Sequence, residues 1–510
     1  MACARCDVAD KHSENEMMHR VFFNAWIWNQ SATALSTRDG KIERVGSDQE
    51  ILAHATSNSE RIDLAGRTVV PGFHDCHLHL LTLGKTLILQ ANLVGSNSID
   101  EMLDRLTKQA EIVDGWIVGH GFDQERMIDR RFPTRADLDR ISKTRPIIAG
   151  RICRHGLVAN SAAMALLSDE ERSDGDVSSG LFVEQHQKAF FTKQPQPDDA
   201  TLDRCLEAAM QLAIRSGITS VGSMLDSPEH FPVFDRMRRR LGRLPIRVTA
   251  MPMEAQAEDF ASRGLITGAG DDWLRIGAAK FFADGSLGAR TAWLSAPYAD
   301  DSNTIGSRIY EPGALAKRMK QVESLGFQLA CHAIGDAALD EALDAIEHAL
   351  AGRSNDRRHR IEHASVARPD QIERLARLRI PVAIQPQFVS SDPWTLDRLG
   401  AHRRNWAYPF RSMKDAGVVL GLSSDAPIEQ LNSNACLKSA IARDASWPDE
   451  SLTLDDAINA YTIGSAWLSG HASQLGHLEI GAPADFVVIN DRDFGKVARV
   501  ILAGTTAFEA

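Results

Sequence analysis

The chain has no run of about 18 apolar residues, so nothing in it reads as a membrane-spanning helix. It also lacks positive charge: 57 Lys and Arg stand against 68 Asp and Glu, a formal net charge of -11. A nucleic-acid partner calls for a basic surface, so none is expected. Cysteine is sparse, with seven residues scattered over 510 positions, which makes no disulfide framework. Cys3 and Cys6 form a lone C-x-x-C with no second pair to complete a structural zinc site. The polar start "MACARCDVADKHSENEMMHR" has no signal-peptide core, so the cytoplasm is the expected compartment and residues 1–18 a disordered tail. Repeats and low-complexity tracts are absent too.

What is present suits a large barrel with an appendage: 510 residues, 44% hydrophobic and 25% charged, too long for one ordinary domain. Short alternating apolar segments broken by turn signals occupy residues 19–67, and similar segments occupy 471–510. Neither set alone makes a sheet with a core, so a composite β-sandwich built from both termini is expected. Between them, eight strand-like segments alternate with amphipathic helical patterns. Leu315, Met319, Val322 and Leu325 share one helical face, and Leu339, Leu343, Ile346 and Leu350 another. The pattern predicts an α/β fold with a (β/α)8 TIM-like barrel over 68–470. The interval 82–215 is out of scale and reads as an inserted subdomain after the first barrel strand, covering the barrel mouth.

Polar residues end the apolar runs. "TVVPGFHDCHLHL" closes on His77 and His79, two apart and so on one side of a strand. Lys280 ends "LRIGAAK", His332 ends "FQLACH", His363 ends "HRIEH" and Asp425 ends "GVVLGLSSD". Catalytic groups of such a barrel lie at the C-terminal strand ends, so these six point to a metal site assembled from five strands. Cys76 alternates out of phase with the histidines, His74 is off-register, and Cys331 faces away from His332; all three read as core.

The motifs "PGFHDCHLHL", "RHGLVANSAAM", "KFFADGSLGARTAWL", "HAIGDAALD", "RIEHA", "IQPQF", "SSDAPIE" and "LEIGAPADFVVIN" run in order from about residue 66 to 490. With them the chain resembles the amidohydrolase superfamily, in its YtcJ-like or amidohydrolase 3 branch, which includes N-substituted formamide deformylases. The resemblance implies that His77 and His79 hold a first metal with Asp425, and that His332 and His363 hold a second. It implies that Lys280 is N-carboxylated and bridges the two. A carbamate replaces a cationic amine by a two-oxygen anion able to neutralise divalent ions. The cofactor is then one or two divalent cations per chain; zinc suits these donors, as do manganese, cobalt and iron. His74 and Cys76 depart from the branch, which often has an aliphatic residue and Ser there.

The implied activity is hydrolysis of a C–N bond in a linear or cyclic amide (formamide, N-acyl or imide) by a metal-bound hydroxide. Asp425 is the catalytic proton carrier, general base and then general acid. A small molecule is the expected partner; monomer and homo-oligomer are both left open. Candidate substrate contacts are His155 in the insertion, Arg290 and Trp293 on the fourth βα-loop, Gln385 at the seventh strand end, and Phe122. Phe388 and Trp394 are further candidates for apolar walls. Asp284 and Asp336 are expected to orient ligands or cap loops. The rival activities are deamination and carbamate, ester or lactone hydrolysis on the same scaffold. Deaminases of this superfamily usually lack the lysine and carry Glu in a strand-five H-x-x-E, where this chain has "HAIGD". A binding protein without turnover is the rival from another class.

Overall fold

The computed structural model describes residues 18–112, 115–152, 156–173, 175–443, 447–471, 473–490 and 495–510. His155, Cys3, Cys6 and the expected N-terminal tail up to residue 17 lie outside the described residues. The chain divides into two compact units, Leu81–Ala209 and the rest. The sequence places the insertion at 82–215; the helix Asp199–Arg215 runs across the observed boundary.

In the larger unit, all-parallel pairing builds two sheets. The first orders Leu274–Ile276, Arg247–Pro252, Ile218–Leu225 and Phe73–Leu78; the second orders Ala279–Phe282, Leu329–Ala333, Arg360–His363, Val382–Ile384 and Leu420–Leu422. Their strands are buried almost throughout, as parallel strands covered on both faces must be, even where the residues are polar, as in Phe73–Leu78 and Arg360–His363. At one edge the Asp425 amide donates to the His77 carbonyl (2.9 Å) and the His79 amide to the Ala426 carbonyl (2.8 Å). At the other edge Met253 forms a parallel bridge with Lys280. The helices Ala314–Ser324 and Asp336–Leu350 bury Leu315, Met319 and Val322, and Leu339, Leu343, Ile346 and Leu350, the faces their spacing predicts. Among the described residues no helix is long and apolar enough to cross a membrane.

Strands from the two ends of the chain share a sheet. Trp26–Ile27 pairs with Thr68–Pro71, which pairs in turn with Phe486–Ile489, and the sheet continues to Val497–Leu502 and Thr505–Glu509. Phe22, Leu35, Ile42, Val69, Phe486, Val488 and Ile501 lie in one core, where the Phe22 and Phe486 rings meet edge-to-face at 5.0 Å. The run "RTVVPGFHD", read from sequence as one barrel strand over residues 67–75, therefore splits. Thr68–Pro71 belongs to the terminal sheet and Phe73–Leu78 to the parallel one, with Gly72 between. A Cβ on Gly72 would lie 2.1 Å from the Thr219 hydroxyl, so only glycine makes this crossing. "LRIGAAKFF" likewise divides into Leu274–Ile276 and Ala279–Phe282, which sit in different sheets.

The smaller unit carries a five-stranded sheet ordered Leu181–Val183, Gly156–Ala159, Ile147–Arg151, Ile117–Phe122 and Gln90–Asn92. The amphipathic helix Ile99–Ile112 buries Met102 and Leu106 in a core with Ile117 and Phe122.

Candidate metal centre

His77, His79, His332 and His363 lie at or beside the C-terminal ends of the parallel strands, Asp425 follows Leu420–Leu422 by three residues, and Lys280 is the second residue of Ala279–Phe282 and does not end its strand. The Nε2 atoms of His77 and His79 each lie 3.3 Å from the same Asp425 oxygen, Oδ1. His77, His363 and Asp425 offer donor atoms that all fall within 4.8 Å of one another. The rings of His332 and His363 are 4.4 Å apart, centroid to centroid, and those of His77 and His363 5.0 Å. His363 and Asp425 both have positive φ (76° and 57°), a conformation that costs a non-glycine residue of order 1–3 kcal/mol. Two residues of one cluster bear that cost, so the surrounding packing dictates where these donors point.

Each histidine gives one ring N–H to a fixed oxygen. His77 Nδ1 donates to Glu362, His79 Nδ1 to Asp226, His363 Nδ1 to the Gln385 side-chain oxygen (2.7 Å), and His332 Nε2 to the Gly285 carbonyl (2.9 Å). Carboxylates and carbonyls only accept, so the opposite ring nitrogen of each neutral imidazole is left bare, as metal ligation requires. The outer partners are themselves held. Glu362 is fully buried against Arg360 Nε at 2.6 Å, and Arg360 also donates to the Cys76 carbonyl at 3.0 Å. Asp284 accepts from the Trp293, Ile334 and Gly335 amides at 2.8–3.0 Å and lies 3.4 Å from His332 Nε2. Gly335 permits this approach, since its Cβ would sit 2.0 Å from the Trp293 carbonyl oxygen.

The charges fit a cation. Burial alone would raise the Asp425 pKa, but His77, His79 and His363 outweigh it and hold the carboxyl well below its ordinary range. Burial alone would lower that of His79, but Asp226 and Asp425 raise it to about 9, so in this donor set a proton serves as the cation between two carboxylates. Burial, then His332 and His77, push His363 far down and keep it neutral. Among the described residues Asp425 Oδ1 and Lys280 Nζ are buried without a hydrogen-bond partner. Burial disfavours a charged ammonium at Lys280 and lowers its pKa.

Several expected contacts fall elsewhere. Gln385 is 2% exposed, and its amide bonds to His363, Ser423 Oγ (2.9 Å) and the Ala383 carbonyl. Phe122 is fully buried in the smaller unit's core, edge-to-face with Phe132, and packs rather than lining a wall. The Arg290 guanidinium pairs with Asp300 at 2.7 Å. The Trp293 ring carries the Arg308 guanidinium 4.8 Å from its centroid. Phe388 stacks on the His363 ring at 6.1 Å and does border the cluster. His74 is held between Ser220 and Ser469, while Cys76 and Cys331 are fully buried. Asp336 begins a helix and accepts from Ser295 and Arg368. Glu362, Arg360 and Asp226 were not singled out from sequence. "RIEH" held the signal: Arg360 and Glu362 share one strand side two residues apart, a buried charge pair in an apolar run.

The Amidohydrolase family model matches residues 60–504. YtcJ of Bacillus subtilis is 31% identical over 513 residues, covering 93% of this chain and 96% of that protein. The N-substituted formamide deformylase of Arthrobacter pascens is 27% identical over 500 residues, covering 91% of each. The crystal structure of an uncharacterized metal-dependent hydrolase from Pyrococcus furiosus superposes with a TM-score of 0.81 at 31% identity, covering 94% of this chain and all of the other. The donor cluster at the ends of parallel strands and these matches define a metal-dependent hydrolase acting on C–N bonds other than peptide bonds. The chain belongs to the amidohydrolase family.

Proposed function

We propose that the chain hydrolyses a linear or cyclic amide of formamide, N-acyl or imide type, with two divalent cations, zinc for preference, held at this cluster. The two parallel sheets are then the halves of one (β/α)8 barrel, meeting at the Asp425–His77 and Met253–Lys280 seams. His77, His79 and Asp425 hold one ion and His332 and His363 the other, with carboxylated Lys280 between them. One observation carries the reading: four histidines each have one ring nitrogen not committed to an outer oxygen, and Asp425 Oδ1 and Lys280 Nζ are buried with no hydrogen bond among the described residues. The match to a formamide deformylase supports the amide class.

When bound, the cations supply Lewis acidity that acidifies water and polarises a carbonyl. The protein does the rest. Asp425 keeps its carboxylate ionised beside His77 and His79, takes a proton from the attacking water and returns it to the departing nitrogen. Phe388, stacked on His363, keeps bulk water from one side of the cluster. Glu362 and Asp226 fix which nitrogen of His77 and His79 carries the proton.

The test is a metal-replete screen of formamides, N-acyl amino acids, cyclic imides and carbamates, read by released amine or, for the imides, by the carboxylic acid that ring opening forms. Chelation should abolish turnover and added Zn²⁺ restore it. Undiminished turnover after metal loss confirmed by elemental analysis refutes the proposal.

A further inference from the structure

A second site lies at the opposite ends of the strands. Gln328 precedes the strand that carries His332, and Arg358 precedes the strand that ends at His363. At about 3.3 Å per residue, four residues separate Gln328 from His332 by roughly 13 Å. Here a cleft of about 260 Å³ is lined by Arg275, Arg357, Arg358, Asp356, Gln328 and Ser469, among others. Three guanidinium groups on one small cleft are unusual in a chain of net charge -11.

Arg357 is neutralised by Glu323 at 3.1 Å. The other two are not. Among the described residues Arg275 donates only from Nε to the Gly268 carbonyl (3.2 Å), and Arg358 only from one terminal nitrogen to the Trp467 carbonyl (2.9 Å). A guanidinium has five N–H donors, so most of both sets have no protein partner. Asp356 also lines the cleft and makes no ion pair with either arginine. Arg358 is held in place: its guanidinium lies 4.7 Å over the Trp467 ring, an arrangement that fixes its plane and leaves its edge for a ligand. Gln328 anchors the floor by donating to the Arg358 and Leu468 carbonyls at 2.6 and 2.9 Å.

We propose that this cleft binds a compact oxyanion of charge near −2, of which phosphate is the type. Two planar donor forks without carboxylate partners match oxyanion geometry. The volume is below the roughly 300–1,000 Å³ of clefts that take drug-sized ligands, so the occupant is small. Phosphate and dicarboxylates share this chemistry, and the test separates them.

Inorganic phosphate and, separately, malonate are titrated calorimetrically into metal-replete protein at constant ionic strength. The parent should show a saturable site for at least one of them, the tighter anion naming the class. Arg275→Gln with Arg358→Gln should weaken it at least tenfold while metal content and turnover stay unchanged. Phosphate held at the metal centre is common to parent and variant, so the difference isolates the cleft. Arg275→Gln alone leaves the Arg358–Trp467 contact in place and should still weaken binding at least threefold, which keeps the test valid if the double variant fails to fold. Failure of both anions to saturate the parent, or equal binding by parent and Arg275→Gln, overturns the proposal.

Discussion

Replacing Glu362 by Leu should cost stability and metal affinity through separate routes. Arg360 is 1% exposed, and among the described residues Glu362 is the one carboxylate it pairs with. Without it the guanidinium keeps only the Cys76 and Leu468 carbonyls and the Met251 sulfur, at 3.0–3.3 Å. Leaving one partner of a buried ion pair uncompensated costs about 3–5 kcal/mol. The same substitution frees His77 Nδ1, and loss of such an outer partner lowers metal affinity about 10–100-fold. A second variant separates the two effects. Arg360→Met with Glu362→Leu removes both charges, and exchanging a whole buried pair for apolar groups is often near neutral. Its stability should therefore recover most of the loss, while its metal affinity stays low. Guanidinium denaturation of the metal-free proteins measures the first quantity, and competition with a chromophoric chelator the second. A single variant less than about 1 kcal/mol below the parent would refute the buried-charge argument. A double variant that binds metal as the parent does would refute the role of Glu362 in holding His77.

Lys280→Ala should lose close to one metal equivalent and nearly all turnover, and short carboxylic acids at high concentration should partly restore both; metal analysis showing the parent's stoichiometry would remove the bridge. Burial lowers the pKa of His359 and of His471 from 6.5 to about 4. Their contribution is therefore fully present above pH 6.5 and is lost as pH falls toward 4, because the unfolded chain takes up protons the folded one refuses. At pH 5 each should cost about 2 kcal/mol relative to pH 7. Denaturation of metal-free parent and His359→Gln at both values checks this, and parallel losses would contradict it. Deleting residues from about 475 onward removes the partners of Thr68–Pro71, so the truncated chain should be insoluble; a soluble, active truncation would show that the shared sheet is dispensable.

The positions of the six donors are legible because a His, Lys or Asp in or just after an apolar run is conspicuous against its neighbours. The alternation of parallel strands and helices is legible for the same reason: buried strands and amphipathic helices carry different hydrophobic periods. What supports the donors is harder to see. Glu362 sits directly before His363, and strict alternation puts the two on opposite faces. The left-handed backbone at His363 breaks that alternation, and no local sequence rule signals it. Gln385 misled for a related reason. Its place at a strand end suggests a substrate contact, whereas its side-chain oxygen is bonded to His363 Nδ1 at 2.7 Å. Phe122 reads as an apolar wall only until the insertion's own core, which needs such a ring, is counted.

The seam between the first and last parallel strands has a consequence for biosynthesis. Ser424 donates its amide to Asp75 across 349 positions of sequence, and Asp425 enters the cluster by the same join. At roughly 5–20 residues per second of translation, that separation is on the order of 20–70 s on the ribosome. Throughout that interval the HxH segment exists without Asp425, the carboxylate both its Nε2 atoms face. A nascent chain therefore offers two histidines at first and four once His363 is made, but no Asp425, and an ion captured early is held weakly enough to exchange. Ion choice is then made after release of the chain, in equilibrium with the cell's free metal pool, so growth conditions late in synthesis should govern which cation the purified enzyme carries.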